Sequence, residues 1–439
     1  MIKYYLALAL RSMQRNIVLT VLMIAAIGVG IGASMTVFTV LRTMSGDPIP
    51  QKSSELFVPQ IDNWLPAHLN ESPNLVGGLL DQLSYRDAMA LMRARQAKRQ
   101  TAMYGVSFTA TPTIAGAKPF IVRGLAAYAD FFPMFDVPFR SGSAWTAADD
   151  AGRTNVVVIS GKLADRLFPG GRAVGRTIDL DRRGYRIVGV LKPWDPQPHF
   201  YDVPGGAFSE AEDVFLPFST AIDRQMPIYG DNNCDDLPAP GWYGHLNSEC
   251  VWLQFWVELP TAAAVQRFRQ FLYNYAADQR SIGRFRWAPR VNLQNLHQWL
   301  IGEKVVPDEM RVSTLVAFGF LLVCLVNSIG LMLAKFSSRA GELGVRRALG
   351  ASKADIFIQC LIETAVIGAF GGIAGLALTV AGLGMERMIL TESAARLAHL
   401  NVAMICTTFG LAVFATVCSG LYPTWRASRV QPAWQLKAQ

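Results

Sequence analysis

The chain reads VSTLVAFGFLLVCLVNSIGLMLA from residue 312 to residue 334, and this uncharged run decides the class of fold. A helix of roughly 20 apolar residues is long enough to cross the hydrocarbon core of a membrane. Three other runs meet this criterion, at residues 17–41, 356–384 and 402–422, and only the second of them carries a charge, at Glu363. No run between residues 42 and 311 qualifies. The sequence therefore predicts four membrane helices, with a large domain inserted between the first and the second.

The composition agrees with a membrane protein that also has a large polar part. The chain has 439 residues, of which 51% are hydrophobic and only 17% are charged, and its mean hydropathy is +0.25. Soluble domains carry about 25% charged residues, and a disordered chain would be far less apolar. Because Trp, Asp, Pro and Arg are frequent between the first and second runs, the whole chain is not a membrane bundle either. We expect an α-helical membrane protein with four transmembrane helices and a large α+β extracytoplasmic domain.

Basic residues define the predicted orientation, because Lys and Arg concentrate on the cytoplasmic side of membrane proteins. Residues 1–16, the loop 335–355 and the tail 423–439 together hold eleven basic residues and two acidic ones. We therefore expect these three segments in the cytoplasm, the first as an interfacial helix followed by an uncleaved anchor. Residues 42–311 then lie outside, and 385–401 form a short outer loop. The net charge of +8 thus reflects topology, and we expect no nucleic acid partner.

The inserted segment shows the periodicities of both helices and strands. Runs of β-branched and alternating apolar residues predict strands, whereas apolar residues at helical spacing predict helices. The predicted strands are 156–160, 185–191 and 251–259, and the predicted helices are 80–99, 162–168 and 261–279. Helices and strands alternate in blocks, which is typical of α+β domains. A segment of this length can bury a full core, and we expect it to divide into two subdomains.

Two of the six cysteines, Cys234 and Cys250, lie in the inserted segment, in a stretch rich in Gly, Pro and Asp. An oxidising compartment outside the membrane favours a disulfide between them. Two free thiols are the alternative. A zinc site would recruit His245, Asp235 and Asp236, but the spacing matches no recognised zinc motif. We predict the disulfide, and the remaining cysteines fall within the predicted spans.

Sequence patterns of catalysis are missing from the 439 residues. There is no G-x-x-x-x-G-K-[ST] phosphate loop, no H-E-x-x-H and no G-x-S-x-G. The histidines are scattered along the chain. The acid pairs Asp149–Asp150 and Asp235–Asp236 lie in turn-like sequence, where we expect them to be solvated. We therefore expect no catalytic residue, no bound cofactor and no metal ion on this chain.

The loop after the run at 312–334 reads KFSSRAGELGVRRALGASK from Lys335 to Lys353. It resembles the signature loop of MacB/FtsX-type ABC transporter permeases, the type VII ABC superfamily, in which a short helix contacts the ATPase subunit. The resemblance implies an ATPase-coupling role for seven residues: Arg339, Glu342, Arg346, Arg347, Leu349, Gly350 and Ala351. The alternative is a basic helix that only sets the topology. Topology does not require Glu342 or Gly350, and Gly350 can end a helix in the left-handed conformation.

The resemblance extends along most of the chain. The segment LALRSMQRN at 8–16, the glycine run of the third span and the tail YPTWRASRVQPA at 422–433 fit the same family. Residues 156–191 are similar to the MacB-like periplasmic core domain, and 193–247 are not covered. Larger family members carry a fused ATPase at the amino terminus. Because this chain begins at the interfacial helix, we expect a separate ABC ATPase subunit that binds ATP and Mg.

Two features of the spans bear on their packing. Glu363 lies about two turns into the third span, where we expect it to orient the loop helix; direct coupling to transport is the alternative. Glycines spaced by four residues let helix backbones approach closely. They are Gly28 and Gly32, Gly368 and Gly372, and Gly371 and Gly375. Packing within one chain is one interpretation of Gly28 and Gly32, and a seam between two permease chains is the other.

The resemblance implies the permease subunit of an ABC exporter in the bacterial inner membrane. Such a subunit couples ATP hydrolysis by its partner to mechanical motion of the periplasmic domain, and drives efflux of antibiotics, peptides or similar substrates. The implied partners are a second permease chain, alike or related, a periplasmic fusion protein, an outer-membrane duct and membrane lipids. No span carries the polar series of a substrate path, which favours a mechanical role. Extraction of lipoproteins and FtsX-like control of a cell-wall hydrolase are alternative functions.

Overall fold

The computed structural model describes residues 2–64, 75–112, 118–285, 287–288, 290–389 and 402–429. The chain folds as two compact units. The first consists of Met1–Met44 with Val306–Gln439, and the second is Ser45–Val305, which we call the inserted domain. This division follows the predicted insertion of one large domain between the first and second membrane helices.

The described residues form fourteen α-helices. In chain order they are α1 (Ile2–Arg15), α2 (Ile17–Met44), α3 (Tyr85–Ala94), α4 (Phe131–Met134), α5 (Ala147–Gly152), α6 (Gly161–Leu167), α7 (Phe218–Asp223), α8 (Trp242–Leu246), α9 (Ala262–Ser281), α10 (Leu296–Gly302), α11 (Asp308–Ser337), α12 (Ala340–Ala348), α13 (Lys353–Ile389) and α14 (Val402–Ser428). Four of them, α2, α11, α13 and α14, are long and apolar enough to cross a membrane. The prediction of four membrane helices is confirmed.

The membrane helices run past the apolar spans that the sequence defines. α11 begins at Asp308 and ends at Ser337, whereas the predicted span is 312–334. Two acidic residues in its first turn and Lys335 in its last turn complement the helix dipole, so the polar flanks extend the helix. α14 likewise continues through Pro423, so the first part of the predicted tail is helical. Most of the predicted outer loop 385–401 lies outside the described residues.

Thirteen strands are found among the described residues of the inserted domain. They are β1 (Leu56–Ile61), β2 (Leu75–Val76), β3 (Leu79–Leu80), β4 (Leu83–Ser84), β5 (Arg99–Thr111), β6 (Phe120–Ala127), β7 (Phe139–Gly142), β8 (Val156–Ile159), β9 (Thr177–Leu180), β10 (Arg183–Leu191), β11 (Val214–Pro217), β12 (Val251–Glu258) and β13 (Val291–Asn295). Eleven of them form one sheet in the order β13-β1-β12-β5-β6-β11-β8-β10-β7, with β4 beside β12 and β9 beside β10 and β5. β2 and β3 pair separately.

The sheet is mixed, which fits the predicted α+β class. β8 pairs with β10, and β6 with β11, in parallel, while the other neighbours are antiparallel. The described residues of the inserted domain lie around this sheet, and the division into two subdomains stays a prediction. The long strand β5 joins β12 on one side to β6 on the other, so hydrogen bonds run continuously across the domain.

A hydrophobic cluster covers each face of the sheet, because successive side chains of a strand point to opposite sides. On β12, Phe255 and Val257 pack in one cluster and Trp256 packs in the other. All 8 residues of β12 are buried. The partial alternation at 251–259 therefore does not mark a solvent face; it belongs to a central strand that is covered on both sides.

The predicted helix 80–99 is shorter in the structure, where α3 covers only Tyr85–Ala94. Ser84 begins it by accepting a hydrogen bond from the backbone N–H of Asp87, and Arg95 ends it with a left-handed φ of 47°. The flanking residues join strands instead, since β4 pairs with β12 and β5 starts at Arg99. Pairing with a strand far away in sequence overrides the helical periodicity at both ends.

The structure bears on two predictions for the inserted domain, the solvation of Asp150 and the pairing of Cys234 with Cys250. Asp150 is buried and accepts hydrogen bonds from the backbone N–H of Ala129 at 2.8 Å and from Trp145 Nε1 at 3.0 Å, so the prediction that it is solvated was wrong. Cys234 and Cys250 are joined in a disulfide. Because both sulfurs are bonded to each other, the zinc alternative lacks its thiolate ligands.

Candidate functional site

The loop 335–355 contains a short helix with a defined end. α12 follows α11 after a two-residue turn. At its end Gly350 has φ +103°, and the N–H groups of Gly350 and Ala351 donate to the carbonyls of Arg347 at 3.2 Å and Arg346 at 3.1 Å. This pair of bonds around a left-handed glycine is a Schellman motif, so the structure ends the helix where the sequence predicts.

A buried carboxylate ties the start of α12 to the membrane helices. Glu363 of α13 is 1% exposed; it accepts a hydrogen bond from Arg339 Nη1 at 3.0 Å and forms an ion pair with Lys335 Nζ at 2.8 Å. Ser12 Oγ of α1 donates a further hydrogen bond to it. Lys335 also donates to Thr20 Oγ1 of α2 at 3.2 Å. These contacts place Glu363 beside the start of the loop helix, and its role in orienting that helix stays a prediction.

Arg339 connects this buried carboxylate to the surface of α12. Its Nη1 atom faces Glu363, and its Nε atom lies 3.3 Å from Glu342 Oε2. Burial opposes the charge of Arg339, but the carboxylates of Glu363 and Glu342 outweigh that effect and raise its pKa. A guanidinium can serve two carboxylates at once because its donors spread out in one plane.

Glu342 is held by three arginines of the same chain. Its oxygens lie 3.1 Å from Arg15 Nη1, 3.3 Å from Arg339 Nε and 3.0 Å from Arg346 Nη2. Burial alone would raise the pKa of Glu342, but these cations lower it below the usual range. Arg346 Nη1 also donates to Gln359 Oε1 of α13 at 2.9 Å. Glu342 and Arg346 thus hold α12 against α1 and α13, and their contact with an ATPase stays a prediction.

The outward edge of α12 is apolar. Val345 and Leu349 are 51% and 83% exposed, and their spacing of four residues places them on one side of the helix. Leu343 and Gly344 are buried on the other side. We call Val345 and Leu349 the apolar edge. Leu349 belongs to the predicted coupling residues, whereas Val345 does not, although an apolar side chain in a basic loop was a signal for it.

The glycines Gly28 and Gly32 of α2 pack within the chain, against α13. A Cβ atom added to Gly32 would lie 2.7 Å from Leu378 Cβ, and one added to Gly28 would lie 3.0 Å from Ala374 Cβ. Such close approach is what small residues permit between membrane helices. α13 therefore occupies the face that a seam between two chains at these glycines would need.

α13 presents glycines to two neighbouring helices. One pair faces α2 and the other faces α14, which explains why two overlapping four-residue repeats occur on this helix. A Cβ atom added to any of the four would lie between 2.6 and 2.9 Å from the facing side chain. The pairs are Gly371 with Ile27, Gly375 with Ile31, Gly368 with Thr416, and Gly372 with Ala412.

Sequence reasoning missed two partners of Glu363. The sequence indicates Lys335 only as a topology signal, and Ser12 only as part of the interfacial helix. Lys335 and Arg339 are four residues apart and so share one side of a helix, which could have indicated a common acidic partner. Nothing local indicates Ser12, which lies 351 residues from Glu363 in sequence.

Comparison with known protein families gives two matches. The MacB-like periplasmic core domain matches residues 20–270, and the FtsX-like permease C-terminal domain matches residues 314–432. The macrolide export ATP-binding/permease protein MacB of Salmonella typhi is 26% identical over 69% of this chain and 41% of its own length. The pyoverdine export ATP-binding/permease protein PvdT of Pseudomonas aeruginosa is 25% identical over 71% of this chain and 41% of its own length. The chain therefore spans less than half the length of these relatives.

Solved structures of related domains align with part of the chain. The periplasmic region of MacB from Actinobacillus actinomycetemcomitans covers 56% of this chain and 92% of its own, with 13% identity and a TM-score of 0.36. The extracellular domain of the ABC-type transporter YknZ from Gram-positive bacteria covers 54% and 99%, with a TM-score of 0.34. The periplasmic-core match alone extends over more than half of the residues, and the FtsX-like match covers most of the remaining membrane helices. This chain belongs to the MacB/FtsX-type family of ABC transporter permeases.

Proposed function

We propose that this chain is the permease subunit of an ABC exporter in the bacterial inner membrane, with both chain ends and α12 in the cytoplasm. A separate ABC ATPase, which carries ATP and Mg²⁺, docks on α12. The family, the relatives named as exporters and the basic residues of 1–16 and 335–355 support this proposal. The observation that carries it is the apolar edge, which stands on a helix that a buried carboxylate clamps to the membrane helices.

The apolar edge makes the contact with the ATPase. Exposed apolar side chains on one side of a helix are suited to a hydrophobic groove on a partner. Glu342 and Arg346 fix the direction of the helix, because their partners lie on α1 and α13. A docking helix that is held at a fixed angle transmits a movement of the ATPase to the helices it contacts. A docking helix that could rotate freely would not transmit that movement.

The movement of α12 is transmitted to the membrane helices through charge-assisted hydrogen bonds, which are roughly twice as strong as neutral ones. Arg339 connects α12 to Glu363 of α13. Glu363 in turn contacts α1 through Ser12 and α11 through Lys335. α2 ends at Met44, where the inserted domain begins, and α11 starts just after that domain ends. Movement of α2 and α11 therefore reaches both ends of the inserted domain.

Several hydroxyl groups inside the spans donate hydrogen bonds to backbone carbonyls of the same chain. Ser34 donates to carbonyls of α2 and α11, and Thr379 and Thr416 each donate to the carbonyl four residues earlier. Polar groups that are satisfied in this way do not mark a substrate path. This supports mechanical work on substrates in the periplasm. The substrates in this proposal are antibiotics, peptides or similar compounds, which pass to a fusion protein and an outer-membrane duct.

A second permease chain packs on α11 in this proposal. Gly319, Asn327 and Gly330 are exposed on that helix, and a Cβ atom added to either glycine meets nothing within 4 Å. A polar amide within an apolar span gains from a partner across a helix interface, and small residues permit the approach. Asn327→Leu should therefore reduce cross-linking of two chains in a membrane, whereas Val380→Leu on the exposed side of α13 should not.

A charge placed on the apolar edge tests ATPase docking. We expect Leu349→Glu to fold and insert normally, because the side chain is 83% exposed, but to lose co-purification with its ABC ATPase partner. Burying the new carboxylate in an apolar groove should weaken the complex by at least roughly 100-fold. Ile282→Glu, at an exposed apolar position of the inserted domain, is the matched control. Normal co-purification and export by Leu349→Glu would show that this face does not dock.

Two further measurements separate the parts of the proposal. The pure chain should hydrolyse no ATP, and hydrolysis should appear when the ATPase is added; activity of the pure chain would contradict a separate ATPase. Reversing Arg346 and Arg347 to Glu should also abolish docking. Because Arg346 pairs with Glu342 and Gln359, this variant loosens α12 as well, so Leu349→Glu is the cleaner test.

A further inference from the structure

Two recesses meet on the surface of the inserted domain. The first has a volume of about 540 Å³ and lies beside α3 and α5, and the second has a volume of about 320 Å³ and lies beside α7 and α8. Tyr128, Ala151 and Ser219 line both recesses, so the two form one continuous groove, which we call the Tyr128 groove. Its size is that of sites that hold one drug-sized molecule.

Stacked aromatic rings line this groove. The ring centres of Tyr128 and Phe218 are 5.1 Å apart with planes 20° from parallel, and Tyr85 stacks on Phe218 at 6.4 Å and 11°. Trp242 and Tyr243 extend the aromatic lining of the second recess, and Tyr243 is 72% exposed. Parallel ring faces at a surface can be continued by a planar ligand, because offset stacking is a favourable arrangement of aromatic groups.

Basic side chains border the rings. Arg93 and Arg95 are exposed at the end of α3 and line the first recess. Burial raises the pKa of Tyr85, and the positive charges of Arg93 and Arg153 act against that rise, so both cations lie close enough to affect the ring. Among the described residues, no carboxylate forms an ion pair with Arg93 or Arg95, whereas the neighbouring Lys98 pairs with Glu258 at 2.5 Å.

The acidic residues that line the groove are already engaged. Each of the three accepts a hydrogen bond or forms an ion pair with a group of the inserted domain, and none of them forms an ion pair with the two arginines at the end of α3. Asp130 accepts from the backbone N–H of Gln100, Asp150 from Ala129 and Trp145, and Asp223 pairs with Arg153 at 2.8 Å. The groove thus combines an aromatic wall with two cations that have no acidic partner in the described residues.

We infer that the Tyr128 groove binds a planar aromatic molecule that carries an anionic group such as a carboxylate or sulfonate. The ring system packs against the half-buried Tyr85 and Tyr128, which flank the buried Phe218. Arg93 and Arg95 meet the anion, since a guanidinium donates paired hydrogen bonds to such groups. The site lies wholly in the inserted domain and goes beyond the proposed function, because binding there requires neither an ATPase nor transport.

Equilibrium dialysis with 2-naphthalenesulfonate tests this site directly. The full chain is held in lipid nanodiscs, and binding to empty nanodiscs is subtracted. We expect saturable binding of one molecule per chain. Ala151→Trp, at an exposed position where the two recesses meet, should weaken binding by roughly ten-fold or more, because the indole fills the junction. Ala148→Trp, exposed on the same helix but outside the groove, is the matched control and should bind normally.

A second pair of variants tests the charge. Arg93→Gln combined with Arg95→Asn should weaken binding roughly ten-fold, which is the value of one charge-assisted hydrogen bond. Asparagine is chosen at position 95 because it tolerates the left-handed backbone found there. Arg267→Gln, an exposed arginine on α9, is the control. The neutral 2-naphthylmethanol should bind roughly ten-fold more weakly than the sulfonate.

Several results would overturn the inference. One is the absence of binding above that of empty nanodiscs, and another is equal binding by Ala151→Trp and Ala148→Trp. Equal affinity for the neutral and the anionic probe, or an arginine variant with unchanged affinity, would also refute it. If the probe fails to bind and Ala151→Trp instead changes the oligomeric state, a second copy of the chain occupies the groove, and the inference is wrong.

Discussion

Replacing Glu363 by glutamine removes the carboxylate that pairs with two buried cations, Lys335 and Arg339. Lys335 is completely buried and loses its only ion pair among the described residues, at 2.8 Å, and keeps the hydrogen bond to Thr20 Oγ1. Arg339 keeps Glu342 as a partner. Removing one member of a buried pair costs about 3–5 kcal/mol, because the remaining charge stays out of water. Since only Lys335 is left without a counterion, we expect a loss near the lower end, about 3 kcal/mol.

The double variant Glu363→Gln with Lys335→Met decides whether the loss comes from the unpaired charge. It removes both charges together, so we expect its stability to return to within about 1 kcal/mol of the parent chain. Arg311→Gln breaks an exposed pair with Asp308 and should cost less than about 0.5 kcal/mol. The measurement is unfolding of the intact chain by SDS in mixed micelles, followed by circular dichroism. A single variant as stable as the parent, or a double variant less stable than the single, would refute the reasoning.

Three further outcomes follow from the structure. Gly32→Ala should destabilise the membrane unit by about 1–3 kcal/mol in the same SDS assay, because its Cβ would lie 2.7 Å from Leu378 Cβ, whereas Gly410→Ala, with nothing within 4 Å, should not. Burial raises the pKa of Glu303 to about 8, and the negative charges of Asp81, Asp231 and Asp202 add to the rise. Protonated Glu303 therefore contributes to the stability of the folded domain. This contribution is lost as the pH rises from about 4.5 to about 8. Hydrogen exchange of residues 45–305 across that range should show the loss, and Glu303→Gln should reduce it; an unchanged slope would contradict this assignment. Peptides containing Cys234 and Cys250 should be found linked in unreduced mass spectra, and reduction should cost roughly 3 kcal/mol of local stability; two alkylatable thiols would disprove the bond.

The membrane helices could be predicted from the sequence because a span needs only a local run of apolar residues. Gly350 could be predicted as a helix end for the same reason, since the Schellman motif involves only a few consecutive residues. The helix 80–99 could not be placed correctly. Its last residue, Arg99, belongs to a strand that pairs with Glu258, and 159 residues separate the two in sequence.

For the candidate site too, local features could be predicted from the sequence, whereas contacts between distant helices could not. The family resemblance indicated the residues of α12 and implied that they form a short helix. It did not indicate that Glu342 and Arg346 would be engaged inside the chain, because their partners Arg15 and Gln359 come from other helices. Glu363 was identified from its rarity in an apolar span, but its hydrogen bond with Ser12 depends on how α1 packs against α13. Contacts of this kind follow from tertiary packing, which a single sequence does not reveal.

The fit between α2 and α13 limits how these two helices can move past each other. Ile27 and Ile31 are seated over Gly371 and Gly375, so a partial axial slide would drive the isoleucine methyl groups into the α13 backbone. The next position that restores a side chain over a glycine lies four residues away, about 6 Å along the axis. Only registers that differ by four residues are therefore sterically allowed between the two helices. A displacement of less than about 6 Å at the α12 end therefore tilts α2 and α13 together as one rigid pair and does not slide one helix along the other.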